Sequence, residues 1–160
     1  LAFERECWAL GMEVLSCFAY KLGFDPEFFT RAHNPASPEY QSTLRLLHYP
    51  TQPAQVSDGQ IGCGAHTDWG GVTLLVQDDA GGLEVLGSDG RWIAAPPIAG
   101  TYVVNLGDMM QRWSNDRWRS NLHRVLPQPT GQHRYSVAYF YDMDYHAVVS
   151  ALPSNCSGLA

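Results

Sequence analysis

From Thr43 to Tyr141 the chain is a succession of short apolar or alternating runs, broken every few residues by glycine, proline or aspartate. The runs over 43–49, 61–67, 72–77, 83–86, 91–94, 101–106, 120–126 and 134–141 read as strands. Strands this short, with little helical pattern between them, point to an antiparallel sandwich or barrel. The exception is D-M-M-Q-R-W, where Asp108 and Gln111 have the spacing of a capping box. That segment predicts a brief helix bridging two sheets. Gln77-Asp78-Asp79 with Gly81-Gly82 is expected to be a hairpin turn. In V-V-N-L-G-D (103–108), a buried strand running into a glycine turn, Asn105 is expected to satisfy backbone groups.

Ahead of the strands lies a different texture. Phe3, Cys7, Leu10, Val14, Leu15, Phe18 and Leu22 recur near helical spacing and predict a helix over 1–22, stopped by Gly23. Asp25-Pro26-Glu27 resembles a cap with proline in the first turn and predicts a short helix through Phe29. Residues 32–42, with Pro35 and Pro38, read as a linker. The chain begins at Leu1 inside an amphipathic pattern, so residues 1–40 are expected to be the helical end of a longer N-terminal region. The catalytic core is then 41–150, with 151–160 a C-terminal tail.

Composition narrows the class. With 45% hydrophobic and 16% charged residues the chain reads as globular rather than disordered. A net charge of −6 with the basic residues scattered argues against a nucleic-acid partner. No run reaches membrane-spanning length, and cytoplasm is the expected location. Cys7, Cys17, Cys63 and Cys156 are widely spaced, form no C-x-x-C pair, and read as reduced thiols. Oligomeric state has no signature in the sequence.

The chemistry concentrates in G-C-G-A-H-T-D-W-G-G at 62–71. His66 and Asp68 sit two apart in a strand-like run, and alternate residues of a strand share a face. His123, in N-L-H-R-V-L, lies on another predicted strand. Two imidazoles and one carboxylate on one face of a cavity make the facial triad of non-haem Fe(II) oxygenases, which leaves positions open for oxygen and substrate. A His-x-Asp alone is weak, since a surface turn with a capping Asp gives the same letters; the added His and a following Arg-x-Ser strengthen it.

Arg134 and Ser136 share a face of the last strand, among Val137, Ala138, Tyr139 and Phe140. A buried guanidinium needs a partner, or costs several kcal/mol. That partner is either an internal carboxylate or the far carboxylate of a small diacid ligand, and the Ser136 hydroxyl favours the ligand. Tyr49 is either a third donor to that diacid or a core tyrosine at a strand end. His48 points the other way and reads as structural; His33, His133 and His146 read as surface residues near turns. Trp69, following Asp68, and Trp113 are candidate walls of a substrate pocket, with core packing the alternative for both.

Taken together, L-H-Y-P, A-H-T-D-W-G-G-V-T-L-L-V-Q-D, G-G-L-E-V, V-V-N-L-G-D, S-N-L-H-R-V and R-Y-S-V-A-Y-F resemble the Fe(II)- and 2-oxoglutarate-dependent dioxygenases. The resemblance runs from about Leu44 to Tyr141 and is to the isopenicillin N synthase-like branch, which includes flavonoid, gibberellin and cephalosporin oxygenases and the aminocyclopropane carboxylate oxidases. It implies a mainly β, double-stranded β-helix (a cupin-like jelly-roll) with flanking N-terminal helices. It implies Fe(II) on His66, Asp68 and His123, and the 2-oxoglutarate C5 carboxylate on Arg134 and Ser136 with Tyr49 assisting. It further implies O2 as oxidant, with succinate and CO2 released as a C–H bond of a small organic substrate is oxidised.

Two departures bear on these implications. Leu47 stands where many plant members carry Asn, removing one possible cosubstrate contact, and the N-terminal region that helps shape the family's substrate pocket is expected to be missing. The alternatives are an iron oxidase of the same fold that does not use 2-oxoglutarate, and a non-catalytic ligand-binding module.

Overall fold

Eight strands arranged in two four-stranded antiparallel sheets form the body of the protein, known here from a computed structural model that describes residues 2–52, 61–129 and 131–153. The strands are β1 (Thr43–Tyr49), β2 (Cys63–His66), β3 (Val72–Gln77), β4 (Leu83–Leu86), β5 (Trp92–Ala94), β6 (Val103–Leu106), β7 (His123–Val125) and β8 (Arg134–Tyr141). One sheet has the order β1-β8-β3-β6 and the other β2-β7-β4-β5. Successive strands fall in opposite sheets until β4, so the chain winds around a central space as a double-stranded β-helix. Every predicted strand is present; 43–49, 72–77, 83–86 and 134–141 keep their predicted bounds, and the other four are shorter at one end or both.

β8 shows why this winding builds a site. Its side chains alternate, so that Arg134, Ser136, Ala138 and Phe140 face a cavity between the sheets while Tyr139 and Tyr141 face away, into a separate core. That core is closed by α1 (Ala2–Lys21), whose buried residues Cys7, Gly11, Leu15 and Ala19 recur every fourth position as one seam. The small side chains bring the helix close to the sheet, and the Tyr141 hydroxyl donates to the Cys7 carbonyl. Gly23, at φ +78°, ends α1 as expected: Phe24 N–H reaches back to the Ala19 carbonyl at 3.0 Å.

Several local expectations fail for tertiary reasons. Asp25 does accept a hydrogen bond from Glu27 N–H at 2.8 Å, but the segment is a turn followed by a 3-10 helix over Thr30–Ala32, not an α-helix. The brief helix is present as α2 (Asp108–Trp113), yet Gly107 is its N-cap and there is no capping box. Asp108 instead accepts from the Thr67 hydroxyl at 3.1 Å, and Gln111 is drawn to Asp116 and Ser120. The glycine turn after β3 is not a hairpin, because β3 and β4 pair in different sheets. His33 is fully buried rather than on the surface, its Nδ1 bonded to the Phe29 carbonyl at 2.8 Å. His133 is exposed on the outer surface, stacked with His48 and Tyr135, and His146 is exposed beside Glu39. Cys7, Cys17 and Cys63 are free thiols; Cys156 lies outside the described residues. Among the described residues no helix is long and apolar enough to cross a membrane.

Candidate functional site

The cavity between the sheets, about 130 Å³, is lined at one end by His66, Asp68 and His123 and at the other by Arg134, Ser136 and Tyr49. A bulge creates the first end. Cys63 pairs with Val125 and His66 with His123, so β2 spends one more residue than β7 over the same interval. The extra residue brings His66, rather than Ala65, opposite His123, with ring centroids 4.3 Å apart. Asp68 is not on the strand: β2 ends at His66, and the acid is carried by the loop that follows.

That loop is fixed from the other sheet. Thr73 and Asn105 are cross-strand partners on β3 and β6, and both donate to Asp68 Oδ2, at 2.6 and 2.7 Å. The Asp68 carbonyl accepts from Asp108 N–H at 2.8 Å, and Trp69 and Gly71 carbonyls accept from Met109 and Gly107 at 3.0 Å each. The chains cross so closely that a side chain on Gly107 would overlap Gly70, and one on Gly70 would overlap the Tyr141 carbonyl. Asn105 therefore orients an acid instead of satisfying the backbone, correcting the sequence expectation. A polar Asn facing inward within V-V-N-L was the available signal; Thr73, in V-T-L-L, gave none.

With Oδ2 engaged, Oδ1 of Asp68 faces His66 Nε2 at 3.9 Å and His123 Nε2 at 3.6 Å. Each imidazole turns its other nitrogen to a carbonyl two residues back, His66 Nδ1 to Gly64 at 2.7 Å and His123 Nδ1 to Asn121 at 3.1 Å. A carbonyl can only accept, so this network assigns the proton to Nδ1 and leaves the Nε2 lone pairs directed at Asp68. Three ligand atoms thus lie within 4.8 Å of one another, each held by an outer partner, as a metal site requires. Asp68 is 6% exposed and His123 15%, whereas His66 is 42% exposed, leaving one side open.

At the far end Arg134 is 1% exposed. Its guanidinium donates to the Gly81 carbonyl at 2.8 Å, the Gln77 amide oxygen at 3.0 Å and the Ser136 hydroxyl at 3.2 Å. The Tyr49 ring lies 4.9 Å from its central carbon. Among the described residues no carboxylate forms an ion pair with Arg134, so the internal acid left open by the sequence is not there. Burial pulls the Arg134 guanidinium below its ordinary range and pushes the Tyr49 hydroxyl above it. Cys63, also on the cavity wall, has its thiol pushed up by burial.

The two tryptophans do not line this cavity. Trp113 is 5% exposed and packs edge-on to Phe29 in the core behind the first sheet, because α2 turns that face inward. Trp69 is 80% exposed, since the residue after Asp68 points away from it to solvent.

Residues 40–143 match the model of the 2OG-Fe(II) oxygenase superfamily. The 2-oxoglutarate-Fe(II) type oxidoreductase hxnY of Emericella nidulans is 41% identical over 158 residues, covering 98% of this chain and 44% of its own length. The 2-oxoglutarate-dependent dioxygenase citB of Monascus ruber is 46% identical over 151 residues, 90% of this chain and 43% of its own. A full-length protein of Neurospora crassa, solved in complex with alpha-KG and thymine, superposes with a TM-score of 0.86 at 38% identity, covering 99% of this chain and 48% of that one. The chain thus spans about half the length of the relatives it matches. On the family match and this shared architecture, the chain belongs to the 2OG-Fe(II) oxygenase superfamily.

Proposed function

We propose that the protein is an Fe(II)- and 2-oxoglutarate-dependent oxygenase that oxidises a C–H bond of a small organic substrate and releases succinate and CO2. The observation that carries this reading is the pairing of two ends in one cavity: three convergent ligand atoms, and a buried cation with only neutral partners. His66, Asp68 and His123 hold the iron; Arg134 and Ser136, with Tyr49, hold the C5 carboxylate of 2-oxoglutarate. When bound, Fe(II) supplies the activation of O2 that couples cosubstrate decarboxylation to substrate oxidation. The chain's own work is orientation and exclusion. Thr73 and Asn105 fix which oxygen Asp68 presents, the Gly64 and Asn121 carbonyls fix both imidazoles, and apolar residues such as Leu75, Val85 and Val103 keep the space between the ends poor in water.

The thymine bound by the Neurospora crassa protein supports a small-molecule substrate. The sequence motifs support the isopenicillin N synthase-like branch and a catalytic core over 41–150. The test is succinate formation from 2-oxoglutarate by the full-length protein with Fe(II). Wild type forms it in step with substrate, and Asp68→Ala falls to background. An Asp68→Ala protein that kept full substrate-coupled succinate formation would overturn the metal assignment.

A further inference from the structure

Arg45 is the second cation on the cavity wall, and nothing in the reading above uses it. On β1 the side chains of Arg45, Leu47 and Tyr49 turn to the cavity, while Leu46 and His48 turn outward. Arg45 pairs with Ala138 and Tyr49 with Arg134, so the two cations stand four residues apart along the sheet, about 13 Å at the rise of a strand. A small diacid anchored at Arg134 and directed at the metal ligands does not need Arg45.

The guanidinium of Arg45 instead lies 5.1 Å over the ring of Phe140. Phe140 pairs with Thr73, the residue that holds Asp68, so the ring sits at the level of the acid ligand. Among the described residues the Arg45 side chain has no hydrogen-bond partner and no ion pair. Asp142 is near enough to feel its charge but does not contact it within ion-pair distance. An exposed, planar five-donor group beside an aromatic face, on the wall of the cavity that holds the metal ligands, is built to receive a carboxylate whose carbon skeleton rests on that face.

We propose that Arg45 selects the primary substrate by charge: the substrate is a carboxylic acid, its carboxylate held by Arg45 and its adjacent carbons packed on Phe140. This rests on the oxygenase reading above. The test is anaerobic titration calorimetry on the full-length protein loaded with Fe(II) and saturating 2-oxoglutarate, so that Arg134 is already occupied. The probes are phenylacetate, indole-3-acetate and hexanoate, each beside its primary amide.

At least one acid is expected to bind wild type about tenfold or more tightly than its amide. Arg45→Gln is expected to erase that preference while binding 2-oxoglutarate as wild type does, and Arg45→Lys to restore part of it. Wild type that binds no acid better than its amide overturns the proposal, as does an Arg45→Gln protein that keeps the preference. Failure of wild type to bind 2-oxoglutarate at all would instead sink the oxygenase reading, and this inference with it.

Discussion

The two sheets that enclose the cavity contribute four strands each, but they differ in what stands behind them. The β1-β8-β3-β6 sheet has strands of seven, eight, six and four residues, backed by α1 and α2 and by buried Tyr139, Tyr141, Val72 and Leu74. The β2-β7-β4-β5 sheet has strands of four, three, four and three residues, and its outer face carries a Glu84–Arg124 ion pair at 2.7 Å and Trp92 beneath Arg124. Both histidines of the candidate metal site sit on the thin sheet; the buried guanidinium of Arg134 sits on the backed one. Asp68 joins them, belonging to a loop after the thin sheet but held by hydrogen bonds from the thick one. The lesson is a division of labour: a buried charge needs a rigid wall, whereas imidazoles at strand ends need only a bulge and two carbonyls.

That division can be broken one side at a time. Replacing Arg134 by Met removes the anchor on the thick sheet, and 2-oxoglutarate binding should weaken about 100-fold or more while Fe(II) binding persists. Equal losses of both, in paired calorimetric titrations, would show that the two ends are not separate. Asn105→Ala cuts one of the two bonds by which the thick sheet orients Asp68. Iron affinity should then fall about tenfold, the lower range for an outer partner of a ligand, with 2-oxoglutarate affinity measured on the iron-loaded protein little changed.

The smallest effect concerns the packing behind the thick sheet. Burial holds the His33 pKa below its ordinary value of 6.5, despite the Phe29 carbonyl and Asp144 acting the other way. The unfolded chain therefore binds more protons than the folded one as pH falls past that value, and stability declines with acid. Urea midpoints of wild type should drop between pH 7.5 and 5.5, and His33→Gln should lose that part of the drop. A variant with the same pH slope would remove His33 from the account.

How much of this was legible in the sequence follows from the range of the forces involved. Strand positions were readable because alternation and turn residues are local, and all eight runs form strands near their predicted ends. What escaped was decided by distant partners. The 78–82 turn has the residues of a hairpin, but β4 finds β5 and β7 rather than β3. Asp108 has capping-box spacing, but Thr67 claims its carboxylate. His33 stands near a turn by sequence, yet α1 and the end of β8 close over it; Trp113 likewise is claimed by Phe28 and Phe29. In the site itself, ligand residue types could be read from spacing, while Thr73, Gln77 and Arg45, and the acid that Asn105 serves, became visible only with the register of β1, β3, β6 and β8.

The crossing of Gly70 over Gly107 has a last consequence. Two stretches of main chain rest on each other there with no side chain between them, so the acid two residues before Gly70 is referenced to bare backbone, not to a rotamer. Such a joint has no soft part to absorb error. Adding even one carbon at the contact would force the two main chains apart and carry the acid away from the imidazoles.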